Sequence, residues 1–480
     1  MTTQDPFQKI VQREHGLRRT LRASQLSMIA IGGAIGTGLF LGSGFAISFA
    51  GPSVLLSYAI GALISLLLMG CLAEMTVAHP TSGSFGAYAE HYVSPWMGFL
   101  VRYSYWACIV LAVGTEVTAI ALYMKYWLPA MPGWVWILAF SSVLVLVNAR
   151  SVNLFGSVEY VFSVVKVCAI IGFIVLGVYV VFFNPQLVAG THDGQVTGPA
   201  SFAHYTADGG FFPKGLWGTW VAVIVAIFSY LSIEMIAVAA GEAEDPQRAV
   251  TQAFRLTVGR LVLFYIVTLA LMLAIVPWTA AGKDQSPFVK VMEAVHVPGA
   301  AGVINFVVLI AALSAMNSQL YITTRMMFSL ARAGHAPRRL GELSARGVPV
   351  AALLLSCAGI AIATVLSVLY PDASFTIMMA ISMFGALFTW AMIFVTHLFF
   401  RRHWKRSGRA LPSFRMRGFP VLTLLGAALT IGAALTTLFT PEFRMTMIFG
   451  VPFLALLSLV YFVFYRGAAQ VGSVGEAATE

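Results

Sequence analysis

The sequence predicts an all-α protein that crosses a membrane twelve times. Of its 480 residues, 59% are hydrophobic and only 10% charged, against about 25% charged in a soluble globular protein. The apolar residues gather into runs of about 20, the length a helix needs to cross the hydrocarbon layer. The runs are continuously apolar and do not alternate, which favours helices over a transmembrane β-barrel. In order, their predicted cores are 24–48, 53–78, 96–127, 134–150, 158–183, 216–240, 255–277, 301–331, 350–369, 375–400, 419–439 and 443–465. The fourth is short.

The formal charge of +10 suggests a nucleic-acid partner only until the charges are placed. Of the 29 Lys and Arg residues, Lys125, Lys214, Lys283, Lys290 and Arg444 fall on one side of the predicted layer and Lys166 within it. All the others share the side of the N-terminus. By the positive-inside rule that side is the cytoplasm, both termini lie there, and the basic residues are topology signals with a weak attraction to anionic lipid as a by-product. Cys71, Cys108, Cys168 and Cys357 all fall inside apolar runs with no CxxC pair, so they read as buried packing thiols. The polar start shows no cleavable signal, and the first span reads as an uncleaved anchor. The expected organisation is a cytoplasmic segment 1–22, one transmembrane domain 23–466 and a cytoplasmic tail 467–480. Two outer loops are longer than the rest, Asn184 to Lys214 and Trp278 to Pro298.

Two spans are interrupted. The first carries Gly32-Gly33-Ala34-Ile35-Gly36-Thr37-Gly38, and the sixth carries Ser229-Tyr230-Leu231-Ser232-Ile233-Glu234. Glycine weakens a helix by about 1 kcal/mol relative to alanine, and a carboxylate at mid-membrane normally faces a cavity or a partner. If spans one to five correspond to spans six to ten, the odd repeat length turns the second copy upside down. The two breaks then face each other near the midplane, where transporters of this construction bind substrate.

The residues at the breaks have two readings each. Bare N–H groups at Ile35, Gly36, Thr37 and Gly38 suit a carboxylate ligand, helped by the positive end of the following half-helix; the glycines equally suit helix packing, as Gly32/Gly36 and Gly38/Gly42 are GxxxG pairs. Ser229, Ser232 and Glu234 offer polar groups to a substrate ammonium, and Phe228 and Tyr230 could close over it; alternatively Glu234 is a buried structural acid. Lys166 lies well inside the fifth span. Desolvation penalises an ammonium, which makes Lys166 a candidate proton carrier, or else it pins neighbouring carbonyls or snorkels to the surface. Glu116, mid-way along the third span, could take a proton, contact a ligand or bond a neighbouring helix. Glu159, two turns before Lys166, and Glu74, toward the inner end of the second span, read as structural. Asn317 and Ser318, in the polar run Ser314 to Gln319, could line the path or glue helices. Trp390 and Phe384 are a possible lid or simple packing, and His397 sits near the inner end of the tenth span within reach of water.

Taken together, Gly33-Ala34-Ile35-Gly36-Thr37-Gly38-Leu39-Phe40, Pro80-Thr81-Ser82-Gly83-Ser84-Phe85, Ala239-Ala240-Gly241-Glu242-Ala243-Glu244-Asp245-Pro246 and Leu313-Ser314-Ala315-Met316-Asn317-Ser318 resemble the bacterial amino acid permeases of the amino acid–polyamine–organocation superfamily. The resemblance covers about residues 15 to 465. It implies a LeuT-like fold, an inverted five-plus-five helix repeat followed by two extra helices, and import of an amino acid with a proton. By position it implies that Ile35, Thr37 and Gly38 bind the substrate carboxylate. Carbonyls near Phe228, Ser229 and Leu231 would receive the amine, with Phe228 as outer gate. Lys166 would stand where sodium-coupled relatives hold an ion, and Glu116 and Glu234 would lie near the side-chain pocket. The family often reads Phe-Ser-Phe-x-Gly-Thr-Glu at the second break. Here Ser232 replaces Gly and Ile233 replaces Thr, which predicts a narrower pocket and a less free backbone.

The reading that results is a secondary active importer of a neutral amino acid in the plasma membrane, working by alternating access. Its partners are the amino acid, a co-transported proton and membrane lipid, with no nucleic acid and no cofactor. An exchanger or facilitator, or a permease for cationic or aromatic amino acids, is the alternative. A channel would need a selectivity filter or charged ring, which the sequence lacks. An intramembrane enzyme is disfavoured by the absence of HExxH, GxSxG and clustered metal ligands. A sensor of transporter-like fold would bind without flux.

Overall fold

The architecture comes from a computed structural model, which describes residues 6–13, 35–188, 190–192, 195–240, 245–281, 286–408 and 412–466. Outside them lie the start of the first span with residues 32–34 of its break, most of the expected N-terminal segment, residues 241–244 of the third family motif, Lys283, and the tail 467–480.

The described part of the first span comprises Thr37–Phe40 and Gly42–Ala50. The turn Gly51–Ser53 joins it to the second span, Val54–Ala78. The next three are Pro95–Lys125, Gly133–Arg150 and Val152–Phe183. The sixth is split into Gly215–Tyr230 and Met235–Ala239. Pro246–Ile275, Ala300–Arg332, Val350–Leu369 and Ser374–Arg406 are the seventh to tenth. Val421–Thr436 and a last helix beginning at Arg444 complete the set. Each of the twelve predicted crossings is therefore represented among the described residues.

Local chemistry sets the ends. Ser94 accepts a hydrogen bond from the Met97 amide with Pro95 in the first turn, and Ser151 accepts from the Leu154 amide; both use a side-chain oxygen to satisfy an otherwise bare N–H. The same device moves a boundary. Asp245 accepts from the Arg248 amide ahead of Pro246, so the seventh helix starts nine residues before the predicted 255, in what reads by composition as a loop. The two long loops also carry structure: a small antiparallel pair, Gly190–His192 with Gln195–Thr197, and a helix, Pro287–Ala294.

Packing reveals the repeat that residue-by-residue reading cannot. The first span packs on the sixth, the second on the seventh, the third on the eighth and the fourth on the ninth. The third packs on the tenth as the eighth packs on the fifth, and the second meets the tenth as the seventh meets the fifth. Exchanging spans one to five with six to ten maps each of these contacts onto itself or another member of the set. With an odd number of crossings per copy, the second copy is inverted. The last two spans lie outside this exchange, against the tenth.

Burial follows the same plan. The most apolar stretch of the sixth span is 100% buried inside the protein, that of the last only 17%. Leu146, Phe183, Val365 and Phe464 are exposed, as expected where the surrounding medium is hydrocarbon and not water. The peripheral fifth span also corrects the reading of the cysteines. All four are free, Cys71 and Cys108 are buried, but Cys168 is exposed on the outer face of that helix and Cys357 is partly exposed.

On the side that carries the arginine-rich loops, Glu74 ties the second span to the tenth. Its Oε2 accepts from Arg401 Nη2 at 2.8 Å and from the Met416 amide at 2.8 Å, and lies 3.1 Å from His397 Nε2. Arg401 Nε approaches Oε1 at 2.7 Å. His397 is fully buried, with Nδ1 3.2 Å from Thr423 Oγ1. It is a bridge between helices and not the water-exposed group that its position near the span's end suggests.

Candidate functional site

The helix of the sixth span stops at Tyr230 and resumes at Met235. Four residues, Leu231 to Glu234, form the break, shorter than the six predicted, because Ser229 and Tyr230 remain helical. At its centre Ser232 has φ +78°, in the left-handed region that disfavours any residue with a Cβ. This is the position at which the family pattern has glycine, the residue that such a backbone favours, and here a serine adopts it. The Glu234 side chain stabilises the turn from within. Its Oε1 accepts the Ser232 amide at 3.2 Å and the Tyr105 hydroxyl at 2.6 Å. Glu234 Oε2 and Ser232 Oγ are buried without a hydrogen bond, and the Trp390 indole lies beside the carboxyl.

In the first span Ile35 and Gly36 are non-helical, Gly36 is extended at φ −131°, and the helix begins at Thr37. The glycines permit close approach. A Cβ on Gly38 would lie 2.6 Å from Ser229 Cα, and one on Gly36 would lie 2.8 Å from Ala315 Cβ and 3.0 Å from Glu116 Oε1. The packing reading of these glycines is therefore realised, and the two breaks touch. Ser229 Oγ donates to the Gly38 carbonyl at 2.7 Å and lies 2.8 Å from the Tyr58 hydroxyl. The Ser229 carbonyl accepts from the Tyr265 hydroxyl at 2.9 Å. The Phe228 carbonyl accepts the Leu231 amide at 3.2 Å. Tyr230 is packed against Tyr265, ring centroids 4.9 Å apart, and its hydroxyl donates to the Tyr58 carbonyl.

The first break is held by ionisable side chains from other spans. The Thr37 amide donates to Glu116 Oε2 at 3.4 Å. Lys166, fully buried, donates to the Ile35 carbonyl at 3.0 Å and to Ser314 Oγ at 2.7 Å. It does not snorkel. Ser314 in turn donates to Glu159 Oε1, and Asn317 Nδ2 donates to Glu159 Oε2 at 3.1 Å. Asn148 Nδ2 donates to Asn317 Oδ1 at 2.8 Å. Asn317 thus belongs to a buried network linking the fourth, fifth and eighth spans. Ser318 is buried in the same span.

Ile35, Gly36, Thr37, Gly38, Glu116, Phe228, Ser229, Leu231, Ser232 and Glu234 are all gathered around the facing breaks. Tyr58, Tyr105, Tyr265 and Asn148 complete the arrangement and were not singled out in the sequence. A hydroxyl or amide inside a mostly apolar run is the signal that marks them, since lipid offers it no partner.

A membrane protein whose sixth helix is broken at its buried centre, and there meets the non-helical Ile35 and Gly36 of the first span with polar groups turned inward, is a transporter. A model of the family described as "Amino acid permease" matches residues 25–471. The gamma-aminobutyric acid permease of Bacillus subtilis is 37% identical over 456 residues, 95% of each chain. The amino-acid permease RocE of the same organism is 34% identical, covering 95% of this chain and 96% of its own. The aromatic amino acid transport protein AroP of Escherichia coli is 36% identical, covering 82% and 85%. The chain belongs to the amino acid permease family. It is a multi-pass LeuT-fold membrane transporter of amino acids and not an enzyme.

Proposed function

We propose that the protein imports a neutral amino acid together with a proton across the plasma membrane, both termini facing the cytoplasm. The observation that carries the coupling is the Lys166 ammonium bridging the Ile35 carbonyl to Ser314. A charge-assisted bond is roughly twice as strong as a neutral one, so loss of the lysine's proton loosens the first break from the eighth span. Protonation then biases alternating access.

The Glu116 carboxyl rests on the Thr37 amide, one of the N–H groups suited to a substrate carboxylate. In this reading Glu116 fills the seat when the site is empty, and the substrate carboxylate replaces it there. The substrate amine points toward the Leu231 carbonyl and Glu234 Oε2, and Phe228 closes the outer side. Ile35, Leu231 and Ile233 are apolar and buried, so an ionised substrate side chain would be desolvated beside them without a partner, which is costly. That supports neutral substrates. Ile233 in place of the family's Thr makes this environment more apolar still.

Two measurements test the reading. Uptake of a labelled neutral amino acid into proteoliposomes under an inward proton gradient, with the other amino acids as competitors, is expected to collapse on adding an uncoupler; indifference to the uncoupler refutes proton driving. Glu116→Gln removes the competing charge and is expected to lower KM by roughly fivefold, the equivalent of about 1 kcal/mol. A raised KM would instead assign Glu116 to the substrate's cationic end.

A further inference from the structure

We infer that Ser314 and Glu159 form the route by which the proton leaves Lys166 toward the cytoplasm. The inference rests on the proton-symport reading above and extends it to a residue that the sequence assigns to structure.

The polarity of the hydrogen-bond chain is fixed by chemistry. An ammonium has donors and no acceptor, so in the contact between Lys166 Nζ and Ser314 Oγ the serine oxygen accepts. Its single proton is then free for its other partner, Glu159 Oε1, which accepts it. The three groups make a wire aligned from lysine to carboxylate. Transfer along it is balanced. One N–H bond of Lys166 breaks and a new O–H bond forms on Ser314, while the original Ser314 O–H breaks and a new O–H forms on Glu159. The nitrogen keeps the electron pair, the ammonium and the carboxylate both become neutral, and the serine is regenerated.

The geometry also gives the wire a direction. Glu159 precedes Lys166 by seven residues on one helix, about 10 Å at 1.5 Å per residue, toward the end that begins at Val152. That end carries the basic loops and is the cytoplasmic one in the proposed orientation. Glu159 is fully buried, and Asn317, backed by Asn148, holds its second oxygen. One turn further along, Phe155 stacks on Tyr321 at 4.3 Å, and the Arg325 guanidinium lies 3.9 Å from the Tyr321 ring centroid. Among the described residues, Glu116 is the further charged group that acts on Lys166 across the first break, and Arg325 lies beyond the aromatic pair.

The test uses the full chain in proteoliposomes, with the labelled neutral amino acid selected by the competition assay and a trapped pH dye. Two rates are compared for each variant: uptake driven by a proton gradient, and counterflow, in which labelled substrate exchanges for unlabelled substrate with no net proton movement. Ser314→Ala and Glu159→Gln are each expected to lower the ratio of driven uptake to counterflow by about 100-fold, the low end for losing one positioned proton-transfer group. They should also flatten the dependence of uptake on internal pH. Ser314→Thr keeps the hydroxyl and is expected to restore both. The inference is overturned if Ser314→Ala keeps the parental ratio. It is also overturned if uptake and counterflow fall in parallel with an unchanged pH profile, since that is the signature of a strut. If the parent itself ignores the uncoupler, the symport reading fails first, and the relay fails with it.

Discussion

In the first break, exposed backbone groups find partners on other spans: the Thr37 amide meets Glu116 of the third, the Ile35 carbonyl meets Lys166 of the fifth, and the Gly38 carbonyl meets Ser229 of the sixth. In the sixth span the turn is closed largely from within. Glu234 folds back onto the Ser232 amide, and two tyrosine hydroxyls, from Tyr105 and Tyr265, secure the rest. The contrast teaches that the first break leans on side chains of other helices, while the second carries its own carboxyl, Glu234, within the turn. Two of the first break's partners, Glu116 and Lys166, are ionisable side chains on neighbouring helices, so a change of charge changes how that backbone is held. The second break is a preformed cradle whose main carboxylate contact spans two residues.

Three substitutions probe this contrast. Gly38→Ala strikes the seam between the two breaks. The added methyl would lie 2.6 Å from Ser229 Cα and 3.1 Å from the Phe228 carbonyl oxygen, backbone atoms that cannot swing aside. Overpacking of this kind costs about 1–3 kcal/mol or more. Near-complete loss of uptake is expected, with a lower thermal midpoint in detergent. Uptake close to the parent's would mean that the seam has slack and the two breaks are not mechanically joined. Tyr105→Phe removes the 2.6 Å bond to Glu234 and is expected to destabilise the protein by about 1–3 kcal/mol. An unchanged midpoint in a detergent melting curve would show that the second break is not built on that contact. Ser232→Gly is the smallest effect and the one of opposite sign. Relieving the left-handed backbone gains about 1–2 kcal/mol, of which glycine's greater freedom in the unfolded chain takes back a part. The midpoint should rise slightly while uptake persists; a fall would mean that the Ser232 hydroxyl is needed for stability.

Much of this was legible in the residues. Glycines in one apolar run, a carboxylate in another and a lysine well inside a third announce groups that lipid cannot satisfy, and each proves to sit at the buried centre. What the residues could not disclose is pairing at long range. Glu159 and Ser314 are 155 positions apart, and nothing near Glu159 in the chain announces a serine partner. From sequence alone its helix position, near a membrane face, explains it as a structural group. The seventh helix runs longer than its composition predicts because an Asp-Pro start outweighs polar composition when the cap is satisfied. The limits of the second break were misjudged by two residues because Ser229 and Tyr230 satisfy their side chains without leaving the helix. Ser232 shows the reverse: substitution of the family's glycine predicts a stiffer backbone, yet the turn itself is retained.

The knot at Glu74 has a further consequence for the rim of the bundle. One carboxylate there serves a guanidinium, an imidazole and a main-chain amide that lies 342 positions later in the chain. Withdrawing it would loosen all three at once, leaving His397 with Thr423 and Arg401 with the Met416 carbonyl. The damage would spread through Met416 toward the start of the eleventh helix, at the far end of the chain from Glu74.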